Sequence, residues 1–341
     1  ARLDRHEGHF FNWYDTISLQ PLPPRYISSV DSGNLAGHLL TLRAGLLALA
    51  NDKILGPRLY ESLGDTLSIA LDALPDALKD SAQAQVAGLR KDMAAAAGTP
   101  PATLRAARLC LERLAASATA VGASQDFQAA DPGSPFKWWF QAFSGQCRDA
   151  LDELIVLAPW ATISREPSEA LALLDEIPTL RGLLALPARL AAAAPPADNA
   201  ELAALVAAAS QRAKARIEAL ADLARRCGAL AQMEYGFLYD KARRLLSIGY
   251  NVDENRRDTS CYDLLASEAR LATFVAIAQG QLPQESWFAL GRLLTTAGGE
   301  PILLSWSGSM FEYLMPNLVM PSFEHTLLDQ TCEAAVARQI D

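Results

Sequence analysis

Histidine and cysteine are scarce in this chain of 341 residues, and that scarcity narrows the chemistry first. The five cysteines, Cys110, Cys147, Cys227, Cys261 and Cys332, are widely scattered. None forms a Cys-X-X-Cys pair, and the four histidines do not join them into a cluster with metal-ligand spacing. No metal and no other cofactor is therefore expected. The odd cysteine count points to reduced thiols rather than a disulfide framework. Long apolar runs are missing too. The alanine-rich stretch 183–209 is broken by Pro187, Arg189, Pro195, Pro196, Asp198 and Glu201, short of the ~18 apolar residues of a spanning helix. Residues 1–15 are charged and aromatic, unlike a secretory leader. Positive charge is in deficit, with 30 basic against 39 acidic residues and a net of −9, which argues against a nucleic-acid partner. There is no Walker loop, GxGxxG, GxSxG or HExxH.

Half of the residues are hydrophobic, enough for a packed core. Helix dominates their arrangement. Residues 32–52 place Leu35, Leu39, Leu42, Leu46 and Leu49 at helical spacing, with Ser32 as the N-cap. The stretch 57–74 continues in that style, with Pro57 suited to a first turn. From about 75 to 233 the composition turns to Ala, Leu, Arg, Asp and Glu, with breaks at 98–101, 131–135, 159, 167, 178 and 195–196. That pattern predicts a series of helices with polar outer faces.

The texture changes near 235. "YGFLYDKARRLLSIGYNV" predicts one small β-hairpin, two short branched and aromatic runs around a charged connection. A helix over about 259–279 follows, then a short helix opened by Pro283, a Gly-rich loop at 298–299, and a last helix from about 324. That helix is still in period at "CEAAVARQID", with no capping glycine, as in a chain cut short. Near the start, "NWYDTISLQPLPPRYISSVDSGN" (12–34) reads as a loop between two helices, where a helical scaffold places binding groups. The organisation expected is 1–74, first helices and loop; 75–233, a variable helical segment; and 234–341, the part with the chemistry.

One residue is out of keeping with its position. Steps of three and four from Leu264 and Leu265 reach Glu268, then Leu271 and Ala272, then Val275, so a carboxylate sits in an apolar stripe. Burial raises a carboxyl pKa, as general-acid catalysis requires. The competing reading is a structural glutamate, paired with a distant arginine or capping a neighbouring helix. Glu312 is similar, flanked by Met310, Phe311, Tyr313 and Leu314, with a first-turn carboxylate helped by the helix dipole as its alternative. Asp31, Asp258 and Asp263 lie near helix starts, where capping is the commoner role. Trp13, Tyr14, Trp306, Phe311 and Tyr313 suit either sugar stacking or the core. The pairs Arg243–Arg244 and Arg256–Arg257 are read as facing solvent.

The runs "FLYDKARRLLSIGYNV", "DTSCYDLLASEARLATFVAIAQGQLP", "WFALGRLL" and "LLSWSGSMFEYLMPNLVM" resemble the glucoamylase-like domain of cyclic β-1,2-glucan synthases, as does "GHFFNWYDTISLQPLPPRYISSVDSGNLAGHLLTLRAGLL". The resemblance covers about 1–60 and 235–341. It implies an all-α fold, here an incomplete (α/α)6 toroid, with inner helices around a cleft for β-1,2-linked glucose. The implied role is transglycosylation that closes a linear glucan into a ring, with Glu268 in "SEAR" as general acid/base and a second carboxylate beyond Asp341. The implied partners are the β-1,2-glucan chain and the other modules of the same synthase. The implied place is the cytoplasmic face of the inner membrane, with this segment itself soluble.

Within that frame Asp15, Asp31, Ser32 and Asn34 would bind hydroxyls from the loop that also holds Trp13 and Tyr14. Trp306 and Tyr313 would be stacking platforms, and Arg257, Asp258, Tyr262, Asp263 and Glu312 would shape the site. Two other readings remain open, an inverting endo-β-1,2-glucanase and a helical scaffold or glucan-holding segment without turnover.

Overall fold

A computed structural model describes residues 3–163, 169–193 and 200–340. The chain divides into two compact units, one joining residues 1–46 to 222–341 and the other formed by 47–221. In chain order the elements begin with β1 (Arg5–His6), β2 (His9–Phe10), β3 (Tyr26–Ser28) and α1 (Ser29–Ala48). Then come α2 (Pro57–Asp72), α3 (Asp76–Gly98), α4 (Leu104–Gly122), α5 (Gln125–Ala129), α6 (Pro135–Leu157), α7 (Glu169–Asp175), α8 (Leu180–Ala193) and α9 (Ala200–Leu230). The last part holds β4 (Tyr239–Asp240), β5 (Leu245–Leu246), β6 (Gly249–Asn251), β7 (Arg256–Arg257), α10 (Ala269–Ala278) and α11 (Glu285–Ala289). It ends with β8 (Leu294–Ala297), β9 (Glu300–Leu303), α12 (Met310–Leu314) and α13 (Leu327–Ile340).

The unit 47–221 is built from helices whose ends are set locally. Pro57 opens α2, the Thr103 hydroxyl accepts the Ala106 N–H at the start of α4, and Ser134 accepts the Lys137 N–H ahead of Pro135 in α6. In α4 the buried positions Leu104, Ala107, Leu111, Leu114, Ala118 and Val121 recur at three- and four-residue steps, so one face enters the core. Both α2 and α4 pack on α6, around Leu63, Leu111, Phe140 and Phe143. The expected breaks at 98–101, 131–135, 159 and 178 fall at helix ends or between helices, with Pro159 opening a short 3-10 turn; those at 167 and 195–196 lie outside the described residues. None of the candidate site residues belongs to this unit.

The other unit packs α10 against α1 over a core that includes Ile27, Ala36, Tyr235, Leu271, Ala272 and Val275. Gly33 makes that approach possible, because a Cβ there would lie 2.3 Å from both Cα and Cβ of Ala272. Gly33→Ala should therefore lower stability by about 1–3 kcal/mol, as overpacking does, although alanine is the better helix former. Urea unfolding checks this, and a midpoint at or above wild type would show that the helices have room to part.

The predicted hairpin is present as β4–β5, with Tyr239 opposite Leu246. It is not the single one. β1 pairs with β2, β8 with β9, and β3, β6 and β7 form a three-stranded antiparallel sheet. Strands of two to four residues are too short to show a period of two. Gly298 and Gly299, read as a loop, close the β8–β9 turn at φ 62° and 91°. Helix thus dominates, the sheets are small, and none closes into a barrel.

Three boundaries differ from the sequence reading. The helix expected over 259–279 starts only at Ala269. Upstream, Asp258 N–H donates to the Gly249 carbonyl and Ile248 N–H to that of Ser260, so strand pairing overrides the helical pattern there. Glu268 is consequently not inside that helix but at its N-cap, and Asp258 does not cap it. α1 begins at Ser29, which puts Ser32 inside its first turn rather than at the N-cap. The 12–34 stretch does not lie between two helices, since β1–β2 precede it and β3 leads it into α1. Among the described residues no helix is long and apolar enough to cross a membrane. All five cysteines are free thiols.

Candidate functional site

Glu268 is 6% exposed and stands at the N-cap of α10, where its carbonyl accepts the N–H groups of Leu271 (2.9 Å) and Ala272 (3.1 Å). The residue before it, Ser267, is in the left-handed region at φ 48° and turns the chain into the helix. Neutral donors hold the carboxylate: Asn34 Nδ2 donates to Oε1 at 3.1 Å, and the Ser267 hydroxyl donates to Oε2. The structural alternatives read from the sequence are not what is seen among the described residues. Glu268 has no ion-pair partner there, and its side chain caps no helix.

Arg270, two residues on, points elsewhere. It is fully buried and grips α12, with Nη1 donating to the Glu312 carbonyl and Nη2 to the Tyr313 carbonyl, each at 2.5 Å. Nη2 also reaches Asn317 Oδ1 at 3.3 Å, while Nε has no partner. Burial pushes this guanidinium below its usual pKa.

Glu312, 5% exposed, lies in the first turn of α12, whose N-cap Ser309 accepts the Glu312 N–H. Its Oε1 accepts the Ser267 N–H at 3.3 Å, and its Oε2 accepts both the N–H and the hydroxyl of Ser307 at 2.9 Å. Burial acts to raise its pKa, but the hydrogen bonds from Ser307, Ser305 and Ser267 outweigh it and hold the group below the ordinary carboxylate value. Ser267 thus touches both buried acids, one through its hydroxyl and the other through its peptide N–H.

An acidic and aromatic wall adjoins this pair. The Tyr26 hydroxyl donates to Asp258 Oδ2, and burial, then Asp258, raises the phenol well above its normal range. Gly249 makes room for that ring, since a Cβ there would lie 2.2 Å from the Tyr26 oxygen. The Tyr262 phenol is raised by burial and then by the charges of Asp31, Glu268 and Asp258, so all three acids act on it electrostatically. Tyr262 meets Trp306 edge to face at 5.4 Å, and Trp13 lies over Tyr26 at 6.5 Å. Both tryptophans are more than half exposed. Asn12 Nδ2 donates to Asp31 at 3.4 Å. Carboxylates that accept hydroxyls, beside aromatic faces that cover C–H surfaces, make a surface suited to a carbohydrate.

The remaining candidates are occupied locally. The Tyr14 hydroxyl donates to the Asp4 carbonyl and accepts the Phe11 N–H. Asp15 accepts from Ile17 and Ser18 in its own turn. Arg257 donates to the Tyr239 carbonyl and lies 3.6 Å from Asp240, while Asp263 pairs with Arg292 at 2.6 Å. The Tyr313 hydroxyl, buried, accepts the Ser305 N–H and donates to the Leu303 carbonyl. Tyr26, Ser267 and Arg270 were not singled out from sequence. Their contacts with Asp258, Glu312 and Asn317 span 42 to 232 residues of chain, and no local pattern signals them. Among the described residues no group of three or more His, Cys, Asp or Glu could hold a metal.

Ser32 is buried against His9, whose Nδ1 lies 2.8 Å from its oxygen. His9 Nε2 faces the Glu234 carbonyl at 3.0 Å, so Nε2 carries the proton and the Ser32 hydroxyl donates to Nδ1. Burial, aided by the charge of His6 and opposed by the Glu234 bond, lowers the His9 pKa from 6.5 to about 4. Below pH 6.5 the unfolded chain takes up a proton that the folded chain refuses until about pH 4. Stability is therefore full above pH 6.5 and falls between 6.5 and 4, by on the order of 3 kcal/mol from this group. Denaturant midpoints across that window check it, and His9→Phe, with nothing to titrate there, should flatten the profile.

No family model matches the chain. Over its whole length it is similar to the cyclic beta-(1,2)-glucan synthase NdvB of Rhizobium meliloti (strain 1021), at 35% identity over 357 residues. The matched stretch is 11% of that protein, so the chain spans about a tenth of the length of the curated relative.

Proposed function

We propose that this chain is part of a cyclic β-1,2-glucan synthase and acts on β-1,2-glucan by transglycosylation, closing linear chains into rings. In this reading Glu268 is the general acid/base, and the helices around it belong to an (α/α)6 toroid. The observation that carries the proposal is the buried Glu268 carboxylate, held only by neutral donors among the described residues, whose charge acts on Tyr262 together with those of Asp31 and Asp258. The similarity to the glucan synthase along the whole chain supports a β-1,2-glucan as the substrate class of this reading.

Chemically, Glu268 protonates the glycosidic oxygen as the bond to C1 breaks, and its carboxylate then takes the proton of the attacking 2-hydroxyl at the other end of the same glucan. One glycosidic bond is lost and one gained, with no water consumed. Retention requires a second carboxylate as nucleophile, whereas an inverting endo-β-1,2-glucanase would admit a water between two acids set further apart. Trp13 and Trp306 would bear on sugar faces, and Asn34 fixes one oxygen of the acid. The partners of this reading are the glucan and the remaining modules of the synthase, at the cytoplasmic face of the inner membrane.

One observation favours the non-catalytic alternative. Residues 47–221 form a helical unit with its own core and none of the candidate residues, as a scaffold or glucan-holding segment would. Incubation of linear β-1,2-glucan with this chain and with a longer protein that carries the second carboxylate, read by mass spectrometry, separates the readings. Rings, each one water lighter than the linear chain of equal length, support cyclisation. Shorter linear chains point to the glucanase, and untouched glucan with measurable binding points to the holding role.

A further inference from the structure

We propose that Ser267 is a positioning residue that fixes the Glu268 carboxyl by tying it, through a single residue, to the buried Glu312. The inference rests on the acid/base reading of Glu268 and adds the device that sets its geometry. Ser267 is a non-glycine residue at φ 48°, a conformation that side chains seldom adopt outside turns. What it achieves there is a division of donors. The peptide N–H goes to Glu312 Oε1 at 3.3 Å, and the hydroxyl goes to Glu268 Oε2.

Glu312 is a fixed post for this arrangement. Two donors from Ser307 hold its other oxygen, and Arg270 holds its carbonyl from α10, the helix that Glu268 opens. Asn34, from α1, holds the remaining oxygen of Glu268. The carboxyl is therefore clamped from two directions, and the two clamps differ in kind. The Asn34 amide nitrogen only donates, so it suits the ionised acid. The Ser267 hydroxyl donates to a carboxylate and accepts from a carboxylic acid, so it remains bonded in both states. A group that must give up and recover a proton in each cycle needs that second kind of partner.

Ser267→Gly is the cleanest test. Glycine adopts the left-handed conformation freely and keeps the N–H for Glu312, so only the hydroxyl is lost. The expected result is a kcat on β-1,2-glucan lower by about 100-fold with KM changed less than about twofold. The pH profile of kcat should shift, and the 13C resonance of the Glu268 carboxyl should move. Ser267→Asn, which tolerates the same backbone and restores a side chain that both donates and accepts, should recover part of each change. Unchanged kcat, pH profile and 13C resonance in the glycine variant would overturn the proposal. If wild-type protein that includes the second carboxylate shows no turnover, the acid/base reading fails instead. The carboxyl resonance then decides the positioning role by itself, since it reports the Ser267 contact without catalysis.

Discussion

Glu268→Gln is expected to lower turnover of linear β-1,2-glucan by about 10²–10⁴-fold, the range a positioned acid/base supplies, while the chain stays folded. Glutamine has nearly the shape of glutamate, so the buried site is not emptied. Its amide oxygen can still accept from Asn34, and its NH₂ can donate to the Ser267 oxygen, which merely reverses one bond. What is lost is the ability to deliver a proton to a departing sugar oxygen. Removal of a buried charge that has no cation partner among the described residues should leave the melting temperature unchanged or higher. Ring formation by mass spectrometry and a thermal melt on the same preparation read both quantities. A variant that turns over glucan at the wild-type rate would end the acid/base assignment and return Glu268 to a structural role.

The largest stability effect should come from Arg270→Met, a loss of about 3 kcal/mol, as when buried acceptors lose their donors. The side chain has no exposed surface, and its nitrogens donate to the Glu312 and Tyr313 carbonyls and to Asn317. Methionine fills most of the volume but leaves all three oxygens without that donor. Relief from burying a charge offsets part of the loss, which is why the figure is not larger. Arg270 also lines a cavity of about 380 Å³ with Phe274, Trp287, Met320 and Phe323, so a shortened side chain has space to let its neighbours shift. Arg270→Lys should recover little, because an ammonium cannot span carbonyls that a planar guanidinium bridges. Urea titration of the three proteins tests this order, and a methionine variant with the wild-type midpoint would show that α12 is held by other contacts.

Much of the helical framework was legible. Pro57 marked a helix start, the pattern over 57–74 marked the helix that runs to Asp72, and the charged link between two branched runs marked β4–β5. The burial of Glu268 was legible too, though by arithmetic that the structure does not follow. Leu265 and Leu271, read as one stripe with it, belong to two separate clusters, one around Ile302 and Tyr313 and one around Ile27 and Val275. Between them the backbone turns at Ser267 and only then enters the helix, and a positive φ at a serine has no signature in the sequence. The partners were the least legible part. Asn34 and Glu268 are 234 residues apart, and Tyr26 and Asp258 are 232 apart, so only the folded chain brings them together.

The pairing of β3 with β6 has a consequence for how such a chain is made. Ile27 is laid opposite Tyr250, and at typical synthesis rates the ribosome needs on the order of ten to fifty seconds to travel between them. For that interval the first strand has emerged with its hydrogen-bonding edge open, ahead of the partner that will cover it. The unit 47–221, with a core of its own, can fold while that edge waits. Birth order therefore sets the site last, and the time during which the nascent chain is vulnerable to edge-to-edge association lengthens with every residue added to the intervening segment.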